Sequence, residues 1–175
     1  MEEGEIREAR EDDLEEINTF VRNVVEVMNA NGNFQWDVNY PLKEHFLEDI
    51  RNGELYVYCD MNLMGGKVVG VVALTAAPCP EYSQAPGVDL SIPGVTPHRL
   101  AVSLDYQGRG IAMKLLMHAD KVCKSKGWRY IRIDTNKVNT VMQRLISSCS
   151  FTFKGEIALN NKPGFVFYCY EKMLP

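Results

Sequence analysis

The chain has 175 residues and a formal net charge of −4, and 46% of its residues are hydrophobic and 24% charged. This composition is ordinary for a globular protein and too apolar for a disordered one, and the length suits a single domain over residues 1–175. The negative charge excludes a sequence-wide basic surface for nucleic acid or anionic lipid. We therefore expect one folded domain whose partner is a small neutral or cationic molecule.

The sequence also lacks the features of targeting and of metal binding. Its opening stretch, MEEGEIREAREDDLEE, is neither apolar nor basic, and no apolar run approaches the roughly 18 residues that span a bilayer. The cysteines are odd in number and form no CxxC pair, which argues against a disulfide framework and a zinc site. We expect a cytoplasmic monomer or homodimer with reduced thiols, no metal and no membrane contact.

The N-terminal third of the chain predicts a strand followed by two helices. Residues 4–10 form a short strand, and residues 14–28 carry apolar side chains at helical spacing behind an acidic cap. Residues 33–40 are a polar and aromatic loop. Pro41 can open a second helix at its first turn, and that helix stops near Gly53.

The middle of the chain predicts a hairpin, a long loop and a strand-helix-strand unit. Residues 55–59 and 68–75 are rich in valine and tyrosine and form the hairpin. Residues 76–97 contain five prolines and no periodicity, and a loop of this length is usually functional or mobile. The unit that follows consists of a strand, a helix and a parallel strand. Its elements are residues 98–103, 108–126 and 130–134.

The last part of the chain completes the predicted sheet. Residues 136–148 form a final helix, and residues 151–159 and 165–171 form a closing hairpin. The expected fold is therefore an α/β domain with a mixed sheet of six to seven strands and four helices. Its first half is antiparallel and its middle is parallel.

The turn before the third predicted helix is the most informative part of the sequence. Gly108 and Gly110 let the backbone approach an anion, and the helix that follows buries a face that begins at Ile111. The free amides of a helix N-terminus, with the aligned dipole behind them, form a site for a diphosphate. Arg109 and Lys114 add positive charge, but we expect the backbone amides to make most of the contacts with the anion.

Two other interpretations of this turn compete with a cofactor site of that kind. The first is a structural glycine-rich connection without a ligand. The second is a dinucleotide site of the Rossmann type, because Asp134 ends the next strand where such folds place an acid for the ribose. Met113 stands at the position of the third glycine, and residues 104–106 separate the strand from the turn. Both features oppose the Rossmann interpretation, as does the short chain after Asp134.

The turn QGRGIA, residues 107–112, fits the pattern R/Q-x-x-G-x-G/A of the GNAT superfamily of N-acetyltransferases. Leu100-Ala101-Val102 stands upstream of it, as the fourth strand of that family does, and the order β-α-α-β-β-β-α-β-α-β-β is also the family's. The chain therefore resembles the GNAT superfamily over essentially its whole length. The resemblance implies an acyltransferase fold and acetyl-coenzyme A (acetyl-CoA) as cosubstrate.

The resemblance also assigns residues to the cofactor. The strand backbone would hold the pantetheine arm and the acetyl carbonyl, and the turn would hold the pyrophosphate. In this family the two parallel strands splay apart, and the cofactor pairs with backbone groups that the splay leaves free. The residues carried over are Leu100, Ala101 and Val102 for the arm, Gln107, Gly108, Arg109, Gly110, Ile111 and Ala112 for the pyrophosphate, and Asn139 for the pantetheine or its thioester end.

Transfer of an acetyl group to an amine calls for a base, because a lysine-like amine has a pKa of about 10.4. His98 is the candidate, since an ordinary imidazole pKa of about 6.5 suits a base at neutral pH. It also occupies a position similar to a strand histidine found within the family. The alternative is that His98 only ends the strand and bonds a carbonyl group.

The acid that protonates the departing thiolate is harder to assign. Many family members have a tyrosine seven residues after the helix asparagine, and Ile146 stands there; Ser150 stands where their helix usually ends with glycine. Tyr168 is the candidate acid. Tyr170, Cys149 and water are the alternatives.

The resemblance also implies that the acceptor site lies beside the irregular segments 33–40 and 76–97, because the corresponding segments usually flank it in this family. Their aromatic residues Trp36, Tyr40 and Tyr82 suit an amine, or else Trp36 and Tyr82 pin the loops to the core. The predicted function is direct transfer from acetyl-CoA to a primary amine of a small molecule or peptide in a ternary complex. The alternative is a non-catalytic acyl-CoA sensor or interaction domain, which the absent tyrosine at position 146 favours.

Overall fold

The computed structural model describes residues 4–175. This part of the chain forms seven strands, four α-helices and three short 3₁₀-helices. The strands are β1 (Gly4–Glu8), β2 (Leu55–Asp60), β3 (Lys67–Thr75), β4 (Gly94–Val102), β5 (Tyr130–Asn136), β6 (Thr152–Ile157) and β7 (Phe167–Met173). The α-helices are α1 (Leu14–Ala30), α2 (Lys43–Arg51), α3 (Ile111–Ser125) and α4 (Thr140–Ser148).

The strands form one mixed sheet in the order β1-β2-β3-β4-β5-β7-β6. β1, β2 and β3 are antiparallel neighbours, as are β5, β7 and β6. β4 and β5 are parallel, and they pair through Gly94 with Tyr130 and Val95 with Ile131. The predicted element order, the mixed sheet and the four helices are confirmed.

The chain divides into two compact units, which are described separately. The first unit comprises the chain up to residue 74 together with residues 98–118, and the second comprises residues 75–97 and 119–175. The core of the first unit is the apolar face of α1 packed with residues of β2 and β3, and it includes Ile17, Val21 and Val57, which are fully buried. Spacing of three to four residues along α1 produces that face.

The second unit has a core of its own. The 3₁₀-helix Pro80–Gln84 lies in the middle of the predicted loop, and its Tyr82 is fully buried against Phe167 and Cys169 of β7 and Ile157 of β6. The segment between β3 and β4 is therefore packed and ordered over this stretch, and only part of it is an irregular loop.

β4 begins four residues before the predicted strand. We expected residues 76–97 to be a loop because the segment contains five prolines and no periodicity. One of these prolines, Pro97, has no amide N–H for a sheet ladder. The pairing with β5 lies before Pro97, at Gly94 and Val95, so the proline removes none of these bonds. Val95 and Thr96 are buried, which explains why the strand extends to them.

Three helices begin later than predicted. α2 begins at Lys43, after Pro41, and α3 begins at Ile111 because the preceding turn contains backbone with positive φ. α4 begins at Thr140, because residue 136 still belongs to β5 and Asn139 serves as the N-cap. In each case the sequence pattern located the helix but not its cap.

Candidate active site

The predicted cofactor turn connects β4 to α3 within the first unit. A short 3₁₀-helix, Leu104–Tyr106, leaves the strand, and the exposed residues 107–110 follow. The Gln107 side-chain amide donates a 3.1 Å hydrogen bond to the carbonyl of Val102, so the start of the turn is tied to the end of β4. Ala101 and Val102, at the end of the strand, are themselves buried.

The backbone conformations at positions 108 and 110 favour glycine over any other residue. Their φ angles are 77° and 76°, in the left-handed region that side chains with a Cβ atom avoid. No atom lies within 4 Å of the place that a Cβ would occupy at either position. The turn is therefore open on its surface, and a ligand can approach the backbone there without displacing protein atoms.

The N-terminus of α3 presents unpaired donors toward this turn. The Lys114 amide donates to the Gly110 carbonyl at 3.1 Å, which is the first bond of the helical ladder. The amides of the three residues before Lys114 consequently have no acceptor within the helix. The first turn of α3 contains no acidic residue that would compete for these donors. Together with the helix dipole, they favour an anionic group such as a diphosphate.

Arg109 is held beside the turn by its neighbours. Its Nη2 donates to the Asp105 carbonyl at 2.8 Å, and its guanidinium carbon lies 4.8 Å from the centre of the Tyr106 ring. The Tyr106 hydroxyl in turn donates to Oδ2 of Asp60 at 3.0 Å. A positive charge is thus kept at the exposed side of the glycine turn.

His98 lies in β4 and is partly buried. Desolvation, together with the adjacent Arg99 guanidinium, lowers the pKa of its imidazole to about 4. The ordinary pKa expected from the sequence is therefore wrong, because the strand environment disfavours the charged form. A neutral imidazole can accept a proton at pH 7, but this one is a weaker base than an ordinary histidine.

Arg99, the next residue along β4, was not singled out by the sequence. Its φ is 51°, an unusual left-handed conformation for a residue other than glycine. Its Nη2 and Nε donate to Oδ1 and Oδ2 of Asp49 at 2.6 and 2.7 Å, and its Nη1 donates to the Tyr40 hydroxyl at 2.9 Å. A weak signal existed for Asp49, since it stands three residues after Phe46 on the buried face of α2.

The structure places the two acceptor candidates of the first unit differently. Trp36 is 8% exposed and belongs to the core cluster, and its carbonyl accepts a hydrogen bond from the Asn29 side chain at 2.8 Å. Tyr40 is partly buried and engages Arg99 through its hydroxyl. Trp36 thus fits the alternative in which it pins the loop, while Tyr40 belongs to the β4 network.

In the second unit, the fully buried Tyr82 and the partly buried Asp134 form a hydrogen-bonded pair. The Tyr82 hydroxyl donates to Oδ1 of Asp134 at 2.6 Å. Burial raises the pKa of the Asp134 carboxyl to about 6 and also raises that of the Tyr82 hydroxyl. Tyr82 is fully buried, so it too fits the interpretation of a loop anchor. No local pattern indicated that the pKa of Asp134 would be raised, since the shift comes from desolvation in the fold.

Asn139 and Tyr168 also lie in the second unit. Asn139 is the N-cap of α4, and its Oδ1 accepts a 3.2 Å hydrogen bond from the Met142 amide. Tyr168 is partly buried in β7, where its ring packs edge-on against the ring of Phe153. The Lys137 Nζ lies over the Tyr168 ring, 5.7 Å from the ring centre. The helix cap is a structural role for Asn139, and the assignments to pantetheine and to the acid stay predictions.

Ile146 and Ser150 stand where the family usually has tyrosine and glycine, and the structure gives both a place in or after α4. Ile146 is fully buried, so its side chain is part of the hydrophobic core. Ser150 adopts a φ of 65°, and the Ser150 and Phe151 amides donate to the Ser147 and Ile146 carbonyls. This is the Schellman arrangement, in which glycine is the preferred residue at the position of Ser150.

The cysteines have little thiolate character. All five are free, and four of them are buried. Burial raises the pKa of Cys79 and of Cys169 to about 12 and also raises that of Cys149. A thiol with a raised pKa is a poor nucleophile at neutral pH, although it can still donate a proton.

Metal binding and membrane insertion find no support in the described residues. Across residues 4–175, no three or more histidine, cysteine, aspartate or glutamate side chains are grouped so that they could hold a metal ion. None of the helices in this range has the length and apolar character needed to cross a membrane.

A family model and several solved structures of acetyltransferases match this chain. The family described as the acetyltransferase (GNAT) family matches residues 25–151, and no curated protein sequence matches the chain. A GNAT-family acetyltransferase from Streptococcus agalactiae superimposes with a TM-score of 0.82 at 22% identity, over 98% of this chain and 96% of its own.

Two further structures carry ligands. The protein yncA from Salmonella typhimurium, solved with its cofactor acetyl-CoA, has a TM-score of 0.70 at 17% identity, over 98% of this chain and 94% of its own. A chain of the NatC complex, bound to Gag peptide and CoA, has a TM-score of 0.72 at 15% identity, over 99% of each chain. With the family match over residues 25–151, these likenesses show that the chain is an acyltransferase that belongs to the GNAT acetyltransferase family.

Proposed function

We propose that this enzyme transfers the acetyl group of acetyl-CoA directly to a primary amine of a small molecule or a peptide, within a ternary complex. The observation that carries the proposal is the open turn at the head of α3. Two glycines at positive φ and the unpaired amides of the helix N-terminus provide a site for the pyrophosphate of the cofactor. We further propose a single-domain cytoplasmic protein that acts as a monomer or homodimer and needs no metal.

The strand before the turn completes the proposed cofactor site. Leu100, Ala101 and Val102 lie at the end of β4, and Gln107 ties this strand end to the turn. Their backbone groups would bind the pantetheine arm and the acetyl carbonyl, while the charge of Arg109 would add to the attraction for phosphate. The acetyl-CoA held by yncA supports the same cosubstrate here.

The chemical step forms a bond between the amine nitrogen and the acetyl carbonyl carbon and breaks the bond between that carbon and sulfur. The amine must lose a proton, and the departing thiolate must gain one. His98 is the proposed base, either directly or through water, although its lowered pKa limits the proton affinity that it offers. Tyr168 is the proposed acid, and water is the alternative because a CoA thiolate is only weakly basic.

The acceptor is proposed to be an amine. Of the two acceptor candidates in the first loop, Trp36 is buried and Tyr40 keeps partial exposure. The chain also carries a net negative charge that favours a cationic partner. The NatC complex was solved bound to a peptide and CoA, which keeps a peptide amine within the proposal.

The experiment is an acceptor screen with purified protein and acetyl-CoA. Small aliphatic and aromatic amines and short peptides with free N-termini or lysines are added in turn, and the release of CoA thiol is measured against a reaction without acceptor. Acceptor-dependent thiol release supports the proposal, and mass spectrometry of the product then identifies the acetylated nitrogen.

A non-catalytic acyl-CoA sensor is the second candidate, and the burial of Ile146 in place of the family's tyrosine favours it. The same screen separates the two candidates. Tight binding of acetyl-CoA in calorimetry without thiol release on any acceptor would replace the enzyme with the sensor.

A further inference from the structure

Arg99 stands in β4 with a backbone conformation that its own residue type disfavours. Its φ of 51° lies in the left-handed region, where a residue with a Cβ atom is less stable than glycine. Such a residue persists only when its surroundings hold it, and residues of this kind concentrate at functional sites. The surroundings of Arg99 therefore have to account for its conformation.

The side chain of Arg99 is fixed at three points. Its guanidinium group donates two hydrogen bonds to the Asp49 carboxylate of α2, at 2.6 and 2.7 Å. It donates a third hydrogen bond to the Tyr40 hydroxyl, at 2.9 Å. The side chains of Arg99 and Asp49 are only 13% and 7% exposed. A paired, bidentate and buried contact of this type is strong and directional, so it defines where the Arg99 backbone lies.

The backbone conformation of Arg99 affects the strand residues that follow it. A left-handed residue inside a strand turns the backbone groups next to it away from the regular ladder, as in a β-bulge. Leu100 follows Arg99 directly and begins the strand end assigned to the acetyl group and the pantetheine arm. The Arg99 conformation therefore sets the direction of the backbone groups of Leu100, Ala101 and Val102.

We propose that Arg99, anchored by Asp49 and Tyr40, is a positioning residue that holds β4 in the conformation needed to bind the acetyl end of acetyl-CoA. This inference rests on the proposed acetyl transfer and extends it to Arg99 and Asp49, neither of which is assigned to the cofactor or to the amine. The network also fixes Tyr40, a partly buried aromatic side chain of the first loop, relative to β4 within the same unit.

The test compares two variants that differ by one methyl group. Asp49→Asn is introduced into both, so that no unpaired buried carboxylate remains, and position 99 is changed to glycine in one and to alanine in the other. Glycine adopts a positive φ without strain, whereas alanine does not. If Arg99 acts through the backbone, kcat/KM of the alanine variant is expected to be about 5- to 30-fold below that of the glycine variant.

Both variants are assayed below their thermal unfolding transitions, so that a loss of stability alone does not change the rate. Equal kcat/KM in the two folded variants would overturn the proposal, because the guanidinium would then matter in some other way than through φ. Arg99→Lys is the third variant. It retains the positive charge beside Asp49 but lacks the planar guanidinium that makes two parallel hydrogen bonds to a carboxylate. An unchanged affinity for acetyl-CoA in that variant would also contradict the proposal.

Calorimetric titration with acetyl-CoA separates this inference from the proposed function. Wild-type protein that binds acetyl-CoA but releases no thiol with any amine refutes the transfer reaction. The order of affinities, glycine above alanine at position 99, still decides whether Arg99 positions the cofactor-binding strand. Equal affinities refute the positioning role even if the wild-type protein is an active enzyme.

Discussion

The hydroxyl of Tyr82 donates a 2.6 Å hydrogen bond to Oδ1 of Asp134 across 52 residues of sequence. Burial raises the pKa of this carboxyl to about 6, and the hydrogen bond from Tyr82 opposes the shift. An unfolded chain has an aspartate pKa of about 3.9. The folded protein therefore binds a proton at Asp134 over a pH range in which the unfolded chain has already released it.

This difference makes the stability depend on pH in a defined direction. Between about pH 4 and 6 the folded state binds more protons at Asp134 than the unfolded state, so the free energy of unfolding falls as the pH rises. The contribution is about 3 kcal/mol for two pKa units. We expect Asp134→Asn to remove this slope in urea unfolding at a series of pH values. A variant with the wild-type slope would show that Asp134 titrates normally in the fold.

The pH dependence of the reaction tests His98. His98→Ala is expected to lower kcat/KM by about 10²–10⁴, the range typical of general-base loss. With a pKa of about 4, His98 should produce no inflection near pH 6.5 in the wild-type profile, once the rates are corrected for the fraction of unprotonated amine. An inflection near pH 6 that persists in His98→Ala and disappears in Asp134→Asn would assign the base to Asp134 instead.

The cofactor turn is tested with a charge at Gly110. Gly110→Glu places bulk and negative charge beside the helix N-terminus, so it is expected to abolish acetyl-CoA binding in calorimetry. Gly32→Glu is the matched control, because Gly32 also has a positive φ of 79° and no atom within 4 Å of a Cβ position. Equal binding by both folded variants would remove the pyrophosphate from this turn.

The end of α4 offers a test of stability. Ser150 occupies the left-handed position of a Schellman motif with a φ of 65°. Ser150→Gly is expected to raise the free energy of unfolding by about 1 kcal/mol, because glycine has no Cβ to clash in this conformation. Ser150→Ala serves as the comparison and should not stabilise the protein. A midpoint of unfolding in urea that falls in the glycine variant would contradict the strain at this position.

Local patterns in the sequence predicted most of the fold. Apolar spacing located every α-helix, and β-rich runs located the strands and the two hairpins. The errors in the predicted boundaries lie at the ends of elements, where the caps decide the first helical residue. Asn139 is the N-cap of α4, and the positive φ of Gly110 keeps this residue out of α3. The single-domain organisation stays a prediction beside the two compact units.

The glycine turn before α3 could be predicted because its signal is local. Gly108 and Gly110 are adjacent in sequence to the helix whose amides they expose, so a short pattern carries the whole arrangement. The acceptor candidates could not be resolved in the same way. Burial of Trp36 and Tyr82 depends on which distant side chains pack against them, and a loop sequence does not contain that information.

By itself, the sequence determined the order of elements and the glycine turn before α3, because hydrophobic periodicity and glycine conformation act over a few residues. The tertiary structure alone decided the contacts of Arg99 with Asp49, 50 residues away, and of Tyr82 with Asp134. It also decided the lowered pKa of His98 and the raised pKa of Asp134. Partner choice and desolvation depend on which segments meet in the folded chain, and folding brings those segments together from distant positions.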